Sequence, residues 1–253
     1  MKSISLALAA LLLSTPCASA DLLLTSKSHT DAYELFGKQV PVKDSTSTLW
    51  LAKDRLRLES ENMHAIVRLD QKRLILLDPE EKAWRAITLP FEFKNYLPPE
   101  KLFMAEQMFA ARALQAKLEA KDETKKFGAW DAKCWEITLS QRGFVYSKEV
   151  LWVTSGIQAD SKVYGEMQAA LASITPEQRN LVKELGRIEG LPVRRERTQN
   201  LSGVEVRTVE ELVTAQEKEA PAGIYDPPAD YTERPYELLR KAPPVPLPGT
   251  GGK

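Results

Sequence analysis

Between residues 49 and 88 the chain alternates polar and apolar positions in short runs. Arg55-Leu56-Arg57-Leu58 begins the series, residues 65–69 and 73–77 continue it, and residues 83–88 close it with Trp84. A period of two puts one side of each run on a core and the other in water, which is the pattern of half-buried strands. The interruptions are polar and short: Lys53-Asp54, Asp70-Gln71-Lys72, and residues 78–82. Gaps of this length join antiparallel neighbours, because a parallel crossover needs a dozen residues or more.

The pattern changes at Pro98-Pro99. Residues 98–126 hold no further Gly or Pro and are rich in Ala, Leu, Met, Gln, Lys and Glu. Those are strong helix formers, and proline is tolerated in a first turn, so the segment predicts one long helix. Met104, Met108, Ala111, Leu114 and Leu118 fall on one side at helical spacing, with Phe109 and Ala113 widening the stripe. Such a stripe is expected to lie against the apolar side of the strands. Strands are expected again at residues 134–139 and 144–154, the second carrying Val150 and Trp152, with a turn at Gln141-Arg142-Gly143 between them. Helices are predicted at residues 160–173 and from Thr175-Pro176-Glu177-Gln178 to Gly190, and strands at 193–199 and 204–213 around a turn at 200–203.

The first twenty residues stand apart. Lys2, an apolar run over residues 4–13 and the end Ala18-Ser19-Ala20 are the three parts of a secretory signal peptide, so cleavage is expected after Ala20. A run of ten residues, nine of them apolar, is too short for a bilayer span, which takes about 20. Lipid attachment at Cys17 is disfavoured by the preceding Pro16. At the other end, half of the sixteen prolines lie beyond Ala220, and residues 241–253 read as a disordered tail. Between these ends, residues 21–240 show no linker or repeat. A single α+β domain is expected, a large antiparallel sheet with helices on one face.

Composition narrows the chemistry. The 35 Lys and Arg balance the 35 Asp and Glu, and loss of Lys2 with the leader leaves no cationic surplus, so nucleic acid is not an expected partner. The two histidines, His29 and His64, form no metal-binding pair, and no Cys-x-x-Cys occurs, so no metal or cofactor is expected. No Gly-x-Ser-x-Gly elbow or Gly-rich phosphate loop is present, and the chain reads as a non-enzyme. After leader removal Cys134 stands alone, on a strand pattern that makes it a small buried hydrophobe. Glu80-Glu81 and Glu210-Glu211 read as solvated charge. Arg194, Arg195, Arg197 and Arg207 form the densest basic group, with Arg195 and Arg197 on one face. Glu196 or Glu205 across the strands would make it a charged sheet surface, the alternative being a site for a lipid headgroup or phosphate.

The succession Trp50 to Arg57, then Ile66-Val67-Arg68-Leu69-Asp70, Leu74-Ile75-Leu76-Leu77-Asp78 and Lys82-Ala83-Trp84 reads as strands in series. Together with Glu149-Val150-Leu151-Trp152-Val153, Glu189-Gly190-Leu191-Pro192-Val193, residues 220–225 and Pro228-Ala229-Asp230-Tyr231, it resembles an uncharacterised family of exported bacterial proteins. That family is similar to the outer-membrane lipoprotein carrier superfamily. The resemblance implies an open half-barrel: a curved antiparallel sheet whose concave face, packed with helices, holds acyl chains. It implies no catalytic residues. The expected function is therefore a periplasmic, non-catalytic binding or carrier protein for an apolar ligand such as a lipid or an acylated protein. Trp50, Trp84, Trp152, Met104, Met108 and Phe109 are its candidate cavity lining. The alternative is an envelope module that binds a protein partner or senses stress without a small ligand.

Overall fold

The computed structural model describes residues 20–238. The expected leader and the tail at 241–253 lie outside them. Strands run in chain order as β1 (Asp21–Thr30), β2 (Tyr33–Leu35), β3 (Lys38–Val40), β4 (Lys43–Leu51), β5 (Arg55–Glu59), β6 (His64–Arg68), β7 (Arg73–Asp78) and β8 (Ala83–Thr88). Helix α1 (Pro99–Arg112) leads to β9 (Gln115–Phe127), β10 (Trp130–Gln141) and β11 (Phe144–Thr154). Helices α2 (Ser161–Ala172) and α3 (Arg179–Leu185) precede β12 (Leu191–Leu201), β13 (Val204–Lys218) and the two-residue β14 (Thr232–Glu233).

Twelve strands form one sheet in the order β14-β8-β7-β6-β5-β4-β1-β13-β12-β11-β10-β9, with β2 and β3 as a separate hairpin. Every pairing is antiparallel except the short β14–β8 contact. The sheet does not close: β14 and β9 are its edges. It does curl. One cavity is lined by both Leu58 of β5 and Leu151 of β11, five strand spacings apart. At about 4.8 Å per spacing a flat sheet would hold them about 24 Å apart. The architecture is the expected α+β open sheet.

The meander of β5 to β8 stands where the alternation places it, joined by turns at the polar breaks. Its second face is not in water, however. Leu56, Val67, Leu74 and Ile87 enter the main core, whereas Ile66 and Ile75 point the other way and pack with Trp50 under Tyr225, Ile224 and Ala220. The segment that covers them is held by arginines of the sheet. Arg57 donates to the Ile224 carbonyl at 2.9 Å, and Arg68 donates to Asp226 at 2.8 Å and to the Tyr225 carbonyl. The Tyr225 hydroxyl donates to Asp21 at 2.8 Å.

The long helix expected over residues 98–126 stops at Arg112, and its second half is strand β9. Tertiary pairing overrides helix propensity here, because β10 supplies β9 with a full antiparallel partner from Gln115 opposite Ser140 to Phe127 opposite Trp130. Side chains also take the carbonyls that a continuing helix would need: Gln141 donates to Arg112 at 2.8 Å and Asn180 to Leu114 at 2.9 Å. What remains of the helix does not cover the sheet. Ala105 is its one buried residue, and it packs with Phe93, Leu97, Leu102 and Phe109 in a small satellite cluster. The covering is done by α2 and α3. Asp160 caps α2 by accepting from the backbone N–H of Lys162 and Val163, and Met167, Ala170 and Leu171 enter the main core. The helix expected from 175 to 190 is shorter, a 3-10 turn followed by α3, which packs on β9.

Candidate functional site

Strands β1, β4, β5, β11, β12 and β13 form one wall of a cleft, and α2 and α3 form the other. Its apolar part has a volume of about 380 Å³ and is lined by Leu58, Met63, Leu151, Val153, Leu171 and Leu181 among others. An adjoining part of about 320 Å³ is mixed, with Leu24 and Leu49 beside Ser26, Ser28, Ser45 and Ser47. A polar mouth of about 300 Å³ follows, bounded by Thr30, Lys43, Glu61 and Thr208. Tyr164 and Gln168 of α2 border the first two parts. Arg195 borders all three.

Two glycines shape the apolar part. Gly165, within α2, faces open space, since a Cβ added there would meet no atom beyond its own helix backbone within 4 Å. Gly190 has φ of +115°, and a Cβ there would come within 2.4 Å of the Thr154 carbonyl oxygen. Only glycine allows β12 to start this close to the end of β11.

The polar groups of the cleft come from the inward positions of three neighbouring strands. Leu191, Val193, Arg195 and Arg197 alternate along β12 with the first two in the cores, so the arginines continue the inner face. Arg197 lies opposite Glu149 of β11 and Arg195 opposite Glu210 of β13. Glu149 is 4% exposed and accepts from Arg197 Nε at 2.8 Å, while Arg195 Nε lies 3.7 Å from its other oxygen. That Nε is shielded from water and makes no hydrogen bond, as is the Ser147 hydroxyl two residues before Glu149. Burial works against the Arg195 charge, and Glu149 and Glu210 more than offset it, so the guanidinium stays firmly protonated. Burial also holds Tyr164 as a neutral phenol, its pKa pushed up to about 12.

The four clustered arginines therefore divide. Arg194 pairs with Glu196 and Glu211, and Arg207 with Glu196 and Asp31, as a charged outer surface would. Arg195 and Arg197 turn inward to the cleft, and their facing carboxylates are Glu149 and Glu210, not Glu196 or Glu205. Glu210, expected as solvated charge, is a cleft residue.

Of the six residues expected to line a cavity only Trp50 and Trp84 come together, and none of the six borders this cleft. Trp50 is 8% exposed and lies on the opposite face with Trp84, beneath the chain at 220–225. Trp152 packs beside Phe127 with ring centroids 5.3 Å apart. Phe109 stacks on Phe93 in the satellite cluster, Met108 is half-buried, and Met104 is 76% exposed on α1. The Met residues miss the sheet because α1 packs instead, through Leu102, Ala105 and Phe109, on Phe93 and Leu97 just before it. The residues that do line the cleft carry two readable signals, the glycines at 165 and 190 and the inward parity of Arg195 and Arg197. Cys134 is buried and free, and burial raises its thiol pKa, as suits a packing residue. Among the described residues no three His, Cys, Asp or Glu side chains are placed to hold a metal, and no helix is long and apolar enough to cross a membrane.

Several solved structures are similar to this chain. The PNGF-II structure in space group C2 aligns with 87% of it at 10% identity and a TM-score of 0.44, the alignment spanning 32% of the PNGF-II chain. A LolA superfamily protein from Nitrosomonas europaea aligns with 82% of this chain and 90% of its own, at 10% identity and a TM-score of 0.31. A domain from Vibrio parahaemolyticus described as an outer membrane lipoprotein-sorting protein aligns with 82% of this chain and 89% of its own, at 8% identity and a TM-score of 0.30. No curated protein matches the sequence. Residues 39–231 match the family model of a domain of unknown function, DUF4412, and the chain belongs to that family.

Proposed function

We propose that the protein is an exported, non-catalytic binding or carrier protein of the bacterial envelope that holds the acyl chain of a lipid or an acylated protein between its sheet and α2. The observation that carries this reading is the apolar part of the cleft. Close-packed interiors leave few voids larger than a water molecule, whereas a space of about 380 Å³ falls within the range of about 300 to 1,000 Å³ typical of small-molecule sites. Its lining is mostly apolar and it opens toward serines and charged groups, which suits a ligand with an apolar tail and a polar end. Export rests on the pattern of residues 1–20.

Two measurements test the proposal. The neutral probe N-phenyl-1-naphthylamine should bind the native protein with micromolar affinity, on the order of −8 kcal/mol, and a monoacylglycerol should displace it. Native protein that leaves the probe's fluorescence unchanged refutes the acyl-chain reading. For export, mass spectrometry of the protein from the producing cell should find Asp21 at the N-terminus with no acyl group, and an intact leader or a lipid-modified Cys17 would contradict it.

A further inference from the structure

The cleft holds two charged groups that protein contacts leave incompletely used. Arg195 and Glu210 are directly opposite on β12 and β13, where Cα atoms in antiparallel strands are about 4.5 to 5.5 Å apart. An Arg and a Glu so placed ordinarily close on each other. Here they do not: Arg195 leans toward Glu149 of β11, 3.7 Å away, and its Nε donates to nothing. Glu149 itself is engaged more closely by Arg197, at 2.8 Å. The Glu210 carboxylate influences Arg195 through space but, among the described residues, forms no hydrogen bond or ion pair with a protein group. The remaining charges at the mouth satisfy each other, with Lys43 2.9 Å from Glu61.

The guanidinium of Arg195, held by protein only through the 3.7 Å approach to Glu149, and a carboxylate without a donor thus border the same space, from the serine-lined part to the polar mouth. Protein leaves the hydrogen-bonding capacity of both groups incompletely met, and a ligand that supplies an acceptor to one and a donor to the other satisfies both. The sign of the site also discriminates. Arg195 and Arg197 balance Glu149 and Glu210, so no net positive charge draws in a simple anion, and a lone carboxylate or phosphate on Arg195 would lie close to Glu210. A group carrying both charges meets complementary partners at each end.

We propose that the cleft selects a zwitterionic amphiphile, one acyl chain ending in a phosphate joined to a primary ammonium, with Arg195 binding the phosphate and Glu210 the ammonium. This rests on the acyl-chain reading of the same cleft. The forked donors of arginine match two phosphate oxygens, and the ammonium supplies up to three donors for the Glu210 carboxylate and neighbouring serine hydroxyls. Ser28 and Ser45 border both polar parts beside Glu210, and the neutral Tyr164 hydroxyl borders the part shared with Arg195.

Displacement of N-phenyl-1-naphthylamine by three ligands with the same acyl chain tests this: lysophosphatidylethanolamine, lysophosphatidylglycerol and monoacylglycerol, each below its micelle concentration. The wild type should bind lysophosphatidylethanolamine about tenfold more tightly than either of the others, a difference of about 1.4 kcal/mol. Glu210→Gln should lower it to the level of lysophosphatidylglycerol while leaving the probe's own affinity unchanged. Arg195→Met should bring lysophosphatidylethanolamine down to monoacylglycerol, and Arg195→Lys, which keeps the charge and loses the fork, should fall between. Equal affinity for the three ligands in a wild type that binds the probe overturns the headgroup assignment and leaves the acyl-chain reading standing. A preference that survives Glu210→Gln overturns it as well. Failure of the probe and all three ligands to bind refutes the acyl-chain reading itself.

Discussion

Replacing Gly165 with leucine tests whether the space beneath α2 is open. The residue lies in the interior of a twelve-residue helix, borders the apolar part of the cleft, and has no atom beyond its own helix backbone within 4 Å of where a Cβ would stand. Leucine in a helix interior is favoured over glycine by about 0.8 kcal/mol. Its side chain would enter the cleft and lose contact with water over part of its surface. Full burial is worth about 1.5 to 3 kcal/mol, so half of that is a fair expectation. Lost rotamer freedom costs about 0.5 to 1 kcal/mol. The balance is a stabilisation of about 0.5 to 2 kcal/mol, read as a higher urea midpoint at unchanged slope. The same side chain would occupy the space proposed for the acyl chain, so affinity for N-phenyl-1-naphthylamine should fall at least tenfold. Both effects follow only if the space is open. A packed interior would respond with an overpacking loss of about 1 to 3 kcal/mol. A destabilised variant that still binds the probe would refute both the openness of the cleft at α2 and its role as the site.

Gly190→Ala should act in the opposite direction. Its Cβ would strike the Thr154 carbonyl at φ of +115°, and a stability loss of at least about 1 kcal/mol is expected in urea denaturation, with no loss contradicting the close approach of β11 and β12. Arg68→Ala removes the donors to Asp226 and the Tyr225 carbonyl. Because Asp226 is largely exposed, the cost should be about 1 to 2 kcal/mol, with faster proteolysis within residues 219–231; an unchanged cleavage pattern there would show that this segment is held by other contacts. The His29 pKa should lie above its ordinary 6.5, chiefly through the hydrogen bond to Asp44 at 2.7 Å and with help from Asp31. Its contribution to stability is then complete below pH 6.5 and disappears as the pH rises through the raised value. An NMR titration that places the His29 midpoint at or below 6.5 would contradict the contact.

The strands from β5 to β8 and the hairpin of β10 and β11 are legible in the sequence because their determinants are local. Polar turns separate short alternating runs, and the neighbour in sequence is the neighbour in the sheet. Helix α2 is legible for the same reason, with Asp160 capping it and Met167, Ala170 and Leu171 on one side. Strands β1 and β4 are central in the sheet, yet residues 21–48 give no clear alternation. The positions that would be apolar in a solid core are Ser26, Ser28, Ser45 and Ser47, which face the cleft. The open site thereby erases the pattern by which the strands would be recognised.

Other features depend on partners distant in sequence. Residues 115–127 are written in helix-forming residues and become a strand because β10 pairs with them along their length. Ile66 and Trp50 are buried on the face that alternation assigns to water because residues 220–225 return to cover it. The sequence by itself determines the antiparallel meander and the shared face of Arg195 and Arg197, since both follow from a period of two. Which side of the sheet carries the cleft, which helices cover it and whether Arg195 closes on Glu210 or on Glu149 are decided only in the folded chain. Those outcomes are set by competing contacts of similar strength between strands that do not adjoin in sequence.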